Sequence, residues 1–219
     1  GVVLVDIGGG TTDIAIFFDN IIRHTAVIPF GGNVVTEDIR QGCGIMRDQA
    51  ELLKTKFGSA LAAENKENEV VCIPGLRGRE PKEISLRTLA EVIQSRMEEI
   101  LEHVYFEIKN SGLEKQLIAG VVLTGGGAQL KHLKQLVEYM TGMSTRIGYP
   151  NEHITKSAVE DVTSPLHATG VGLVMRGFDY LDRRRPHAAD ARNPTRRSAS
   201  TVKEHSEPGR IGSFFKSVL

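Results

Sequence analysis

Cysteine is scarce in these 219 residues: Cys43 and Cys72 stand alone without paired spacing, which excludes a disulfide scaffold and a cysteine-based zinc site. The seven histidines are scattered without metal-ligand spacing and read as surface or packing residues. No apolar run reaches the ~18 residues of a membrane-spanning helix, and no signal-peptide pattern opens the chain, so a reducing cytosol is the expected compartment. Net charge is also missing, with 27 Lys/Arg against 27 Asp/Glu. That balance hides an asymmetry. Residues 183–219 hold nine basic and three acidic side chains, leaving 18 against 24 in residues 1–182. An acidic body with a basic tail argues against nucleic acid as a partner of the body.

The common phosphate motifs are lacking too. No Gly-Lys-Ser/Thr occurs, so there is no Walker loop, and no spaced dinucleotide fingerprint is present. What stands in their place is Asp6-Ile-Gly-Gly-Gly-Thr-Thr-Asp13, between the β-rich runs Val2 to Val5 and Ile14 to Phe18. Three glycines strip the turn of Cβ atoms, letting backbone N–H groups approach an anion, and two threonine hydroxyls add donors. Asp6 and Asp13 flank the turn. A carboxylate beside phosphate is tolerable when a cation such as Mg²⁺ stands between them. A second turn, Thr124-Gly-Gly-Gly127, follows the apolar run Ala119 to Leu123 and precedes a helix expected over about 128–141. Strand, glycine turn and helix place amides and a helix N-terminus against a nucleotide.

Between these turns the pattern predicts a strand over 21–28, a helix toward Gly42 capped by Asn33, Thr36 or Asp38, and a helix over about 47–57 stopped by Gly58. A short strand over 70–73 and an extended piece over 83–86 follow. Leu89, Ile93, Met97, Ile100, Leu101, Val104 and Ile108 then recur at three- and four-residue spacing, which predicts a half-buried helix from about 87 to 110. The chain opens on Gly1-Val-Val-Leu-Val5 with no polar lead-in, as the middle of a sheet does, so a fragment is expected.

Residues 183–208 contain almost no large apolar side chain and are expected to be a disordered basic linker. In residues 209–219, Ile211, Phe214, Phe215, Val218 and Leu219 fall at i, i+3, i+4, i+7 and i+8, one apolar face of a short helix suited to an anionic membrane surface. Burying five such side chains yields roughly 10 kcal/mol gross, and ordering the segment costs a similar amount. One copy would bind weakly, and a polymer would gain by avidity.

Taken together, the two glycine turns make the chain resemble the actin-like ATPase superfamily. Asp6 to Asp13 matches its second phosphate-binding turn, and Leu123-Thr-Gly-Gly-Gly127 its adenosine-binding turn. Glu51 and Lys54 in Ala-Glu-Leu-Leu-Lys match its adenosine-contacting helix. Pro29-Phe-Gly-Gly32 and Leu89-Ala-Glu-Val-Ile-Gln-Ser-Arg96 are similar to the C-terminal half of the bacterial cell-division family FtsA, over residues 1–177 and again at the end. The implied fold is α/β: the second domain of an actin-like, ribonuclease H-like ATPase, a mixed sheet with helices plus an inserted smaller α/β subdomain. Residues 1–28 and 120–182 would form the nucleotide-facing subdomain, 29–119 the inserted one, 183–208 the linker and 209–219 the membrane helix.

The resemblance further implies ATP and Mg²⁺ as ligands. Asp6 would serve the metal, Gly8, Gly9, Gly10, Thr11 and Thr12 the phosphates, and Gly125, Gly126, Gly127, Glu51 and Lys54 the adenosine. The intact protein would be at most a weak ATPase, and this half alone inactive. Implied partners are the C-terminal tail of the tubulin-like FtsZ, received near Arg96 and Glu99, further copies of the chain in a protofilament, other divisome proteins and anionic lipid. The implied location is the inner face of the cytoplasmic membrane at the division site. A pilus-assembly actin homologue, a sugar or acetate kinase and an Hsp70-like chaperone share the fold and stand as alternatives.

Overall fold

A computed structural model describes residues 1–66, 68–75, 80–151 and 160–184. Three β-rich runs separated by tight turns fold back on one another as an antiparallel meander: β1 (Val2–Ile7), β2 (Thr12–Phe18) and β3 (Ile21–Ile28). Asp19 and Asn20 make the second corner at φ 53° and 61°, left-handed conformations that Asp and Asn tolerate and two-residue hairpins require. The chain then leaves the sheet for α1 (Gly32–Cys43), α2 (Arg47–Phe57), a small hairpin of β4 (Val70–Ile73) and β5 (Lys82–Ser85), and the long α3 (Leu86–Asn110). It returns as β6 (Val121–Thr124), crosses over through α4 (Leu133–Thr141) to β7 (Thr145–Ile147), and ends in α5 (Ala168–Arg184). β6 is parallel to β1 and β7 to β6, so the sheet order is β3-β2-β1-β6-β7 and the sheet is mixed.

Strand periodicity assigns the two faces. Val3, Val5 and Ile7 of β1, Ile14 and Ile16 of β2, and Val121 and Leu123 of β6 point one way, none more than 2 % exposed. They join the seven-residue stripe of α3 in one continuous core. Each of those α3 side chains stabilises the fold by about 1.5–3 kcal/mol through burial. The opposite face carries a smaller cluster, Val2, Phe17 and Val122 with Leu4 and Ala15. Asp6 and Asp13 lie on this second face, one residue beyond Val5 and one before Ile14.

The structure differs from the sequence expectations in several places. α1 starts one residue before Asn33 and has no side-chain cap; its first amides are taken by the glycine turn instead. The helix expected over about 128–141 is divided. A 3-10 turn spans Gly126–Gln129, His132 adopts φ 60°, and α4 begins only at Leu133. The break lets Lys131 bridge to Ser59, with the Ala60 amide donating to the Lys131 carbonyl at 2.8 Å. β7, three residues long, exists through its pairing with β6 and has no periodicity of its own to reveal it. α5 runs to Arg184, so the expected linker boundary at 182/183 cuts its last turn.

Candidate functional site

The first glycine turn is closed by the Gly8 amide donating to the Thr11 carbonyl at 2.9 Å. The Gly8 and Gly9 carbonyls accept the Gly32 and Asn33 amides at 2.9 and 2.7 Å, docking the start of α1 on the turn. Gly31 makes this approach practicable: a Cβ there would stand 2.6 Å from the Gly8 carbonyl oxygen. Gly10 is different. Its φ is not left-handed and a Cβ would meet nothing within 4 Å, so neither strain nor packing demands glycine at this exposed position. The bare backbone there leaves clearance for an incoming group.

Alternation along β2 corrects one expectation. Thr12 pairs with Ile7 and shares its core-facing side; it is 0 % exposed and its hydroxyl donates to the Phe30 carbonyl at 2.8 Å. The Thr12 hydroxyl therefore braces the loop from inside, and of the expected cradle Gly9, Gly10 and Thr11 are the exposed members.

Asp6 and Asp13 are register partners on neighbouring antiparallel strands. Like charges placed opposite each other destabilise a sheet. Each carboxylate accepts a threonine hydroxyl, Asp13 from Thr11 at 3.0 Å and Asp6 from Thr169 at 2.7 Å. No group of three or more His, Cys, Asp or Glu that could hold a metal exists among the described residues. Mg²⁺ does not need one, because it is commonly held by one or two carboxylates with phosphate and water, so a facing carboxylate pair beside an exposed glycine turn fits it.

The second glycine turn interlocks with the end of β1. Gly125 sits at φ 82°, where a Cβ would fall 2.2 Å from Asp6 Oδ1 and 2.6 Å from the Ile7 carbonyl oxygen. A Cβ on Gly127 would be 2.4 Å from Ile7 Cγ2. These glycines serve close backbone approach. Gly126 lies against Leu166, and the Gly125 amide donates to the Pro165 carbonyl at 3.1 Å, so the helical turn Pro165–His167 covers the second turn. A cavity of about 570 Å³ opens beside it, lined by Ala128, Leu130, His132, Ile147, Tyr149 and Pro165 among others.

Glu51 and Lys54 come to the same end of the molecule but are engaged within it. The Lys54 ammonium lies 2.9 Å from the Gly32 carbonyl, 2.8 Å from Thr36 Oγ1 and 2.7 Å from Glu51 Oε2, and the side chain is 16 % exposed. With its three protons placed, Lys54 clamps α2 to the start of α1, one residue from the first turn. Glu51 keeps more contact with solvent. Partial burial acts to raise its pKa, but hydrogen bonds from Lys54 and Thr36 and the charges of Lys54 and Arg47 outweigh it, and the net effect is a lowered value.

Arg96 and Glu99 lie on α3, apart from the turns. Helical phase puts both off the buried stripe, a placement that by itself would leave them free to meet a charged peptide. The structure instead shows Arg96 bidentate to Asp38 of α1 at 2.5 and 3.1 Å, with a further hydrogen bond to Glu99. The Asp38 carboxylate holds the Arg96 guanidinium pKa above its usual value. Arg96 is thus a strut between α1 and α3, and Glu99 is the more exposed of the two. Ile211, Phe214, Phe215, Val218 and Leu219 lie outside the described residues.

Two further residues stand at the site: Asp13, which the sequence shows flanking the turn without naming it as a ligand, and Thr169, to which the sequence assigns no role. Asp13 is legible from the alternation that pairs it with Asp6. Thr169 is not, because it is 163 positions away from the carboxylate it touches.

Comparison with known structures shows the actin-like fold. The chain superposes on MreB5 of Spiroplasma citri bound to ADP with a TM-score of 0.64 at 22 % identity, covering 85 % of this chain and 56 % of that one. For a PilM–PilN type IV pilus biogenesis complex the values are 0.60, 18 %, 80 % and 45 %. Among sequence relatives, the cell division protein FtsA of Pseudomonas aeruginosa is 42 % identical over 178 residues, and that of Escherichia coli K12 is 40 % identical over 184. Both alignments cover 81 % of this chain, which spans 42 % and 43 % of those relatives' lengths. The family model described as cell division protein FtsA matches residues 3–172. With that match over most of its length, the chain belongs to the actin-like FtsA family of cell-division proteins.

Proposed function

We propose that this chain is part of an ATP-binding, actin-like division protein that tethers FtsZ polymers to the inner face of the cytoplasmic membrane and helps to assemble the divisome. The observation that carries the nucleotide part is the Asp6/Asp13 carboxylate pair at the mouth of two interlocked glycine turns. Asp6, with Asp13 opposite, would hold Mg²⁺, which neutralises phosphate charge when bound. Gly8, Gly9, Gly10 and Thr11 would receive the phosphates, and Gly125, Gly126 and Gly127 would back the adenosine. Lys54 and Glu51 hold the start of α1 against the first turn, and the solvent-facing side of Glu51 is the part that would meet the ribose or base. Residues 1–28 and 120–182 would make up the nucleotide-facing subdomain, with 29–119 inserted.

The tethering part rests on family membership and on the apolar face of residues 209–219. No helix among the described residues is long and apolar enough to cross a membrane. Attachment would run through that terminal face. The FtsZ tail would dock along α3 near Glu99 and Arg96, and self-assembly into protofilaments would multiply weak lipid contacts. Vesicle co-sedimentation of the intact protein with FtsZ polymers tests this reading. FtsZ should pellet with anionic vesicles only when the wild-type protein and ATP are present, and Phe214→Glu with Phe215→Glu should abolish the effect. FtsZ that pellets equally well with the double variant would contradict it.

A further inference from the structure

One oxygen of Asp6 is hydrogen-bonded and the other is packed close to a glycine. Oδ2 accepts the Thr169 hydroxyl at 2.7 Å, and Oδ1 faces the bare Cα of Gly125, where a Cβ would come within 2.2 Å. Thr169 is the second residue of α5, and the turn just before it is fastened to the second glycine turn by the Gly125-to-Pro165 hydrogen bond and by Leu166 on Gly126. Beyond that end α5 presents its apolar residues outward, with Leu173 69 % and Phe178 65 % exposed. The first turn of α5 is therefore a point of attachment to the sheet, where it touches Asp6.

We propose that Thr169 is a positioning residue for the Asp6 carboxylate and that it couples cation–nucleotide loading of the first turn to the seating of α5. The inference rests on the nucleotide reading above. A carboxylate oxygen has lone pairs for two donors, so the Thr169 hydroxyl and a cation's hydration water can share Oδ2 without competing. Removing the hydroxyl frees the carboxylate to rotate, and the cation then meets an acceptor that must be ordered on binding. Coupling of this kind is reciprocal: what Thr169 contributes to cation-dependent binding, bound nucleotide returns to the docking of α5.

The test compares wild-type intact protein with Thr169→Val, Thr169→Ser and Asp6→Asn, by calorimetry of ATP with magnesium and with EDTA, and by hydrogen exchange over residues 168–172. Thr169→Val, nearly isosteric and at an exposed position, should lower magnesium-dependent affinity roughly tenfold, the scale of one hydrogen bond to a charged group. Affinity in EDTA should be unchanged, and Thr169→Ser should restore the wild-type ratio. Magnesium–ATP should slow exchange at residues 168–172 in wild type and in Thr169→Ser but not in Thr169→Val. If Asp6→Asn removes the magnesium dependence while Thr169→Val retains it in full, the coupling is overturned and the nucleotide site stands. If wild type shows no magnesium dependence at all, both readings fall together.

Discussion

Four glycines at one end of this molecule carry different physical burdens, and substitution separates them. Gly125 is left-handed, and a Cβ added to it would lie within 2.6 Å of Asp6 and Ile7, so Gly125→Ala should cost about 2 kcal/mol or more in thermal or chemical denaturation. Gly127 has no left-handed φ, but its Cβ would meet Ile7, and it should behave similarly. Gly31 is held against the Gly8 carbonyl in the same way. Gly10 meets nothing, so Gly10→Ala should leave stability within about 0.5 kcal/mol of wild type, or raise it through the unfolded state, while weakening ATP binding in the intact protein. Equal losses of stability at Gly10 and Gly125 would remove the distinction. Titration offers a second check at this scale. Because the folded Glu51 pKa lies below its unfolded value, the unfolded chain takes up the proton more readily. The Glu51–Lys54 clamp therefore contributes fully above the unfolded carboxylate range and is lost as pH falls through the lowered folded value. Glu51→Gln should flatten that acid limb of the stability profile.

Among the elements, periodicity made some legible and pairing made others. The α3 stripe was readable because seven large apolar residues recur on one face over 25 residues, and every one of them is buried. Ile93→Ala should accordingly destabilise the fold by about 2–5 kcal/mol. β1, β2 and β6 were readable as apolar runs adjoining glycine turns. β7 and the break before α4 were not, since three residues carry no period and the break accompanies a bridge to Ser59 far away in sequence. The same limit applies at Arg96: helical phase places it off the stripe, and only the α1–α3 packing brings Asp38 to it. Charge reversal at Arg96 would set a third carboxylate against Asp38 and Glu99 in a partly buried contact. Arg96→Glu should therefore lower the melting temperature as well as any peptide affinity. Glu99→Lys should weaken FtsZ-tail binding with a smaller stability change, and makes the cleaner probe of that surface.

At the scale of the whole molecule, the mixed sheet offers one face to a large core and the other to a small cluster that ends in two aspartates. α5 lies beyond that second face with Leu173, Val174, Phe178 and Leu181 each more than half exposed. An apolar helix face of this extent favours association, and light scattering of this chain alone should show oligomers that grow with concentration. The central claim, that the two turns and the aspartates between them form a magnesium–nucleotide site, is tested most directly by calorimetry of ATP binding to the intact protein, wild type against Asp6→Ala, with and without magnesium. The account predicts tight binding by wild type that depends on magnesium and a loss of that dependence in Asp6→Ala. Equal magnesium-dependent affinity in the two proteins would contradict it.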